Sequence, residues 1–224
     1  MSAAPPSTVS RGVVLMILAV FLFATMDATA KGLIERYPAP QVIWVRFAGQ
    51  FALVLLILGP RLGPVLRTRF PVLHFWRSAS QFGATTFFFL FLPHVGLAEA
   101  TAVADLNPVL ITLGAALFLG ERLGVRRLAG VVVALLGALI VIRPGAGVFT
   151  WWSLLPLCCA LSYATSALLT RKIGAQESVW ASMVYAALFG TLVAGAALPF
   201  VWQPVAPADL WRFGLVALLG TGAQ

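Results

Sequence analysis

Seven apolar runs, each long enough to cross a bilayer as a helix, follow one another along this chain. They are Gly12–Ala30, Gln41–Leu58, Leu73–Leu92, Ala98–Leu119, Val125–Ile142, Trp151–Thr170 and Val179–Val201. A spanning helix needs about 17–25 such residues. Inside hydrocarbon every backbone N–H and C=O must be paired internally, which leaves helices and closed barrels. Runs of this length without two-residue alternation point to helices. An eighth run starts near Leu210 and meets the chain end at Gln224. At about 1.5 Å per residue it has covered about 22 Å of a core about 30 Å thick. The expectation is therefore an all-α, polytopic transmembrane bundle whose last span continues beyond Gln224.

Composition agrees. The chain is 61% hydrophobic and 10% charged, against about 25% charged residues in a soluble domain. A net charge of +8 would suggest nucleic acid in a soluble protein. Here the basic residues sit in short loops between apolar runs, where they set topology, so a nucleic-acid partner is excluded. Arg11, Arg61, Arg67, Arg69, Arg77, Arg122, Arg126, Arg127, Arg171 and Lys172 fall on one side; Lys31, Arg36, Arg143 and Arg212 fall on the other. That bias predicts a cytoplasmic N-terminus in a cell inner membrane. Trp44, Trp151, Trp152, Trp202 and Trp211 fall at the outer ends of the runs, Trp76 and Trp180 at inner ends, as the interfacial belt requires. Arg11, Gly12–Met26 and Ala28-Thr29-Ala30 mimic a signal peptide, but Asp27 interrupts the run just before the small-residue site. Met1–Ser10 reads as a mobile tail. Cys158 and Cys159 are adjacent, do not face each other on a helix, and read as packing groups.

The chain also carries a trace of internal duplication. A shift of 140 residues lays Phe23-Ala24-Thr25 on Tyr163-Ala164-Thr165 and Lys31 on Arg171. Span 1 and span 6 would run in opposite directions, so the units would be inverted, as in many secondary transporters. Several features then resemble the EamA-type members of the drug/metabolite transporter superfamily. They are Phe23-Ala24-Thr25-Met26-Asp27-Ala28 with Lys31, Arg46 after Gln41, and Leu97-Ala98 with Ala100. Asn107-Pro108, Gly120-Glu121, Arg127, Gly130, Gly137 and Arg143-Pro144-Gly145 complete the pattern. The resemblance implies ten spans in two five-span halves. Residues 1–11 would be a cytoplasmic tail, 12–145 the first repeat, and 146–224 an incomplete second repeat holding spans 6, 7 and part of 8.

Charges within hydrocarbon are costly and mark function by default. Asp27 lies about 5 Å from the outer end of its run, Arg46 about 7 Å and Asp105 about 10 Å. Together they would form a paired cluster lining an outward vestibule; alternatively Arg46 snorkels to headgroups and Asp27 caps a frayed helix end. Asn107-Pro108 sits near the middle of span 4, where proline frees backbone acceptors for a substrate or simply kinks the helix. Ser162, Tyr163, Ser80 and Gln81 lie near mid-depth, as cavity lining or as interhelical hydrogen bonds. Gly120 reads as a helix cap. His74 and His94 lie at opposite faces with no ligand spacing for a metal.

The function expected is a secondary transporter, importing or exporting a small organic metabolite. Asp27, Arg46, Gln81, Asp105, Asn107, Pro108, Ser162 and Tyr163 are the candidate substrate contacts. No P-loop pattern provides for ATP, no cofactor is expected, and proton coupling and a homodimer are compatible with the sequence. An intramembrane enzyme using Asp27 and Asp105 finds no supporting catalytic motif. A non-transporting membrane partner is the remaining alternative.

Overall fold

The computed structural model describes residues 6–94, 106–120, 124–142, 154–174 and 177–223, and all regular structure among them is helical. The elements are α1 (Pro6–Ile34), α2 (Ala39–Leu58), the single-turn α3 (Leu62–Val65), α4 (Pro71–Phe91), α5 (Asn107–Leu119), α6 (Val125–Ile142), α7 (Leu154–Ile173), α8 (Val179–Val201) and α9 (Leu210–Gly222). Gly12–Ile34, Ala39–Val65 and Val179–Val201 are each long and apolar enough to cross a membrane on their own.

Helix starts and stops follow local chemistry. Pro71 opens α4, and Ala39-Pro40 opens α2, where a missing proline N–H costs nothing. Gly120 ends α5 in the left-handed conformation with its N–H returned to the Ala115 carbonyl, the cap expected of it. Ser178 caps α8 by accepting from the Ala181 N–H. Two expectations are corrected. Pro6–Ser10, read as tail, form the first turns of α1, again with proline leading. At the other end α1 runs four residues past Ala30 to Ile34; Lys31 sustains the helix and the turn comes only before Pro38.

Helix α4 packs against α7 and α8, α2 against α8 and α9, α1 against α9, and α5 against α7. Lipid tails are as apolar as leucine, so close packing rather than hydrophobic exclusion drives these contacts. Small residues permit it. Gly49 of α2 meets Ala217 of α9, Gly114 of α5 meets Leu168 of α7, and Gly190 of α8 lies flat against the Phe47 ring of α2. The largest buried cluster gathers Met26, Leu33, Ile43, Phe47, Phe89 and Phe213 from α1, α2, α4 and α9. The opposite helix faces carry large exposed apolar side chains, such as Met16, Leu56, Val133 and Phe200, which suit a lipid environment.

At one end of the bundle, the α1–α2 turn is tied to the α8–α9 connection. The buried Asp209 carboxylate accepts from the Tyr37 hydroxyl at 3.0 Å and pairs with Arg36 at 3.3 Å and Arg212 at 3.2 Å. Gln41 and Gln203 add a reciprocal pair, at 2.9 Å and 3.0 Å. Trp44 and Trp202 meet edge-to-face at the same end, whereas Trp151 and Trp152 lie outside the described residues.

Candidate functional site: a polar cavity between the helices

A cavity of about 540 Å³ opens among α1, α2, α4, α5, α7 and α8 and extends to the α7–α8 connection. That is the size range of small-molecule sites. Its polar lining follows helical spacing. On α4, Arg77, Gln81 and Thr85 recur every fourth residue and share one face; on α7, Tyr163, Ser166 and Thr170 do the same at four- and three-residue steps. Both stripes line the cavity. They meet as successive cross-links: Arg77 Nε donates to Thr170 Oγ1 at 2.7 Å, and Ser166 Oγ donates to Gln81 Oε1 at 3.1 Å.

Arg46 enters from α2 and is only 4% exposed. Its Nη1 donates to Thr85 Oγ1, its guanidinium lies 5.4 Å from the centre of the Phe47 ring, and its Nε is buried without a partner. Asp27 of α1 lines the same cavity, and its charge and that of Arg46 act on each other. With α1 extended to Ile34, Asp27 lies seven residues from its helix end, about 10 Å, deeper than its run suggested. The sequence expectation paired Arg46 with Asp27, but the hydrogen bond goes to Thr85, leaving Asp27 to face the cavity. Asn107, at the start of α5, also lines it and leaves Oδ1 buried and unsatisfied. Buried polar atoms are normally paired, and orphans of this kind mark places where a ligand can bind.

The structure thus brings Asp27, Arg46, Gln81, Asn107 and Tyr163 to one cavity. Ser162 goes elsewhere; its hydroxyl packs on Gly83 at the α4–α7 interface, 3.4 Å from where a Cβ would stand. Pro108 lies in the first turn of α5 rather than interrupting a described helix, and its carbonyl accepts from Thr112 at 2.6 Å. Asp105 lies outside the described residues. Arg77, Thr85, Ser166, Thr170 and Glu177 also line the cavity and were not singled out in the sequence. Arg77 lies near the start of its apolar run, the position of the topology-setting arginines. Its four-residue spacing to Gln81 and Thr85 is the signal that separates it from them.

Glu177 closes the far end of the cavity. It accepts from Thr68 Oγ1 and from the Arg69 backbone N–H, both at 2.8 Å. Its second oxygen lies 3.6 Å from Nε2 of the buried His74, whose ring stacks on Tyr185 at 5.0 Å. The Arg69 N–H and then the Thr68 hydroxyl hold the Glu177 carboxylate below its usual range. A depressed carboxylate stabilises the fold above its unfolded value and loses that contribution as pH falls through the folded one. Glu177→Gln is therefore expected to lower the thermal midpoint at neutral pH. The gap to the parent protein should close below about pH 4, near the unperturbed glutamate value. A gap independent of pH would dismiss the charged clamp.

Comparison with known proteins identifies the family. Residues 10–143 match the EamA-like transporter family. The chain belongs to that family. Among similar proteins, the riboflavin transporter of Rhizobium johnstonii is 30% identical over 232 residues, covering 99% of this chain and 74% of the relative. The pseudopaline exporter CntI of Pseudomonas aeruginosa is 28% identical over 211 residues, covering 93% of this chain and 73% of the relative. The S-adenosylmethionine uptake transporter of Rickettsia bellii is 25% identical, covering 97% and 74%. A solved crystal structure superposes with a TM-score of 0.71 at 22% identity, over 96% of this chain and 77% of the other, which supports the helical fold. The EamA-family assignment makes the chain a multi-pass membrane protein of a transporter family with small-molecule substrates.

Proposed function

We propose that this protein is a secondary transporter that moves a small organic metabolite across the cell inner membrane, binding it in the cavity against Asp27, Arg46, Gln81, Asn107 and Tyr163. The observation that carries the reading is the convergence of opposite charges with two orphaned polar atoms, Arg46 Nε and Asn107 Oδ1, in a space of about 540 Å³. A site that leaves such atoms unpaired when empty discriminates strongly in favour of a ligand that pairs them. Asp27 is the carboxylate placed to take up a proton or a cationic group during the cycle.

Two inverted units, residues 12–145 and 146–224, are part of the proposal, and helix packing supports them. Exchanging α1, α2 and α4 with α7, α8 and α9 turns the α4–α7 contact into α9–α1, turns α2–α9 into α8–α4, and maps α2–α8 onto itself; each of these contacts is present. The N-terminus is proposed to be cytoplasmic, from the lysine and arginine bias. Impermeant-thiol labelling of single cysteines at Ser7 and Val65, in a Cys158→Ala, Cys159→Ala background, should fail in intact cells.

The deciding experiment is a metabolite-wide uptake and efflux screen in a host lacking its own carriers, followed by flux measurements in vesicles. Tyr163→Phe should fold normally and lower flux of the identified substrate about tenfold or more, the cost of leaving a buried partner unpaired. Gln81→Leu should lower flux as well, with a fall in thermal midpoint from the Ser166 bond it breaks. A protein that moves nothing in the screen, or variants that match the parent, would return the chain to the non-transporting alternative.

A further inference from the structure

We propose that Arg77 is a separate subsite of the cavity, holding an acidic group of the substrate about 12 Å from the Asp27–Arg46 end. The inference rests on the transport reading above and adds a substrate class to it.

A topology-setting arginine turns outward and snorkels to headgroups. Arg77 turns inward, between α4, α7 and α8. Its Nε donates to Thr170 Oγ1 at 2.7 Å and its Nη1 to the Ser182 carbonyl at 3.0 Å. Both partners are neutral, so they aim the guanidinium without cancelling its charge. Among the described residues no carboxylate lies within ion-pair distance of it. The carboxylate at that end of the cavity, Glu177, is engaged by Thr68, the Arg69 N–H and His74. A guanidinium carries five donors in a planar fork, and Arg77 uses two of its nitrogens in these bonds. It is a cation tethered to the cavity wall with no counter-ion among the described residues, and an oxyanion supplies one.

Its distance from the deeper charges follows from the helix. Arg77 and Thr85, the residue that holds Arg46, are eight residues apart on one face of α4, or about 12 Å. At the deep end Asp27 and Arg46 offer opposite charges, complementary to a zwitterionic head. At the other end Arg77 offers a single positive charge. The chemistry that satisfies both is an extended amphoteric metabolite with a second, distal acid.

The test uses the protein in phosphatidylcholine nanodiscs with a graded series of L-2-amino-α,ω-dicarboxylates, from glutamate upward. Each is matched to the L-2-aminoalkanoate of equal length that lacks the distal acid. The expected result is that, at one optimal length, the distal carboxylate tightens binding about tenfold to hundredfold, the worth of a charge-assisted hydrogen bond. Arg77→Gln should erase that advantage while binding of the monoacids persists; Arg77→Lys should restore part of it. Thr170→Val, which removes a tether but no charge, should weaken it and shift the optimal length. An advantage that survives Arg77→Gln overturns the proposal, as does failure of every distal acid to improve binding in the parent protein. An advantage that disappears when phosphatidylglycerol is added assigns Arg77 to lipid headgroups and overturns it equally. Normal flux in Asp27→Asn and Arg46→Lys would instead remove the cavity reading on which the proposal stands, a separate failure with a separate readout.

Discussion

Arg46→Ala is expected to be the most damaging single substitution in the polar interior, costing stability and flux together. Arg46 is almost fully buried, fixes Thr85 across the α2–α4 interface and supplies the charge that faces Asp27. Its removal strands the aspartate in a poorly solvated cavity and frees a volume that alanine cannot fill. Removing one member of a buried charged set costs about 3–5 kcal/mol, which should appear as a large fall in thermal midpoint and in folded yield. Arg46→Lys keeps the charge but loses the planar fork that reaches Thr85, so folding should survive and flux should not. Asp27→Asn with Arg46→Gln removes both charges and should recover part of the stability lost in Arg46→Ala, with a coupling of about 0.5–3 kcal/mol between the two sites. Additive effects, or wild-type flux in Arg46→Lys, would show that these charges do not act as a unit.

Gly190→Ala should also be strongly destabilising, although alanine is the better helix former by about 1 kcal/mol. A Cβ at Gly190 would stand within the Phe47 ring, and that ring is locked in the largest buried cluster. Overpacking of this kind costs about 1–3 kcal/mol, here at the α2–α8 contact around which the proposed repeats are arranged. Gly214, on α9, has open space where its Cβ would be, so Gly214→Ala is the matched control and should be neutral or mildly stabilising. A thermal melt of both variants in one detergent decides it. Equal midpoints would mean that α2 and α8 separate more readily than their packing implies.

Much of the fold is legible in the sequence, for definite reasons. The bounds of α6 and α8 coincide with their apolar runs, because Gly124 and Ser178 precede them and polarity returns abruptly after them. Lys31 looks like a boundary by hydropathy, although it is a good helix former and α1 continues through it to Ile34. In the cavity, Asp27, Arg46, Gln81, Asn107 and Tyr163 stand out as polar groups within apolar runs. Thr85, Ser166 and Thr170 do not. Their hydroxyls can bond to the carbonyl four residues earlier, as those of Thr85 and Thr170 also do, so such side chains enter apolar helices at little cost and carry little signal. Arg77 was concealed by its position, since depth alone cannot tell an anchor from a cavity residue. Glu177 owes its role to Thr68 and Arg69, more than a hundred residues earlier in the chain, and no local pattern announces that contact.

Asp209 has a consequence for the energetics of the transport cycle proposed above. One carboxylate fastens the Tyr37 hydroxyl and Arg36 of the α1–α2 turn, while Arg212 holds it from its own side of the contact, so the two turns separate only by giving up the bonds to Tyr37 and Arg36. The Tyr37 bond to the buried carboxylate is worth about 1.5–3 kcal/mol and the pair with the exposed Arg36 at most about 1 kcal/mol, and together they weight the resting population toward the state held closed at that end. A substrate that drives the reverse state must favour it by a comparable free energy. Weakening this one residue would leave substrate recognition in the cavity untouched while changing how often the unloaded protein faces either side.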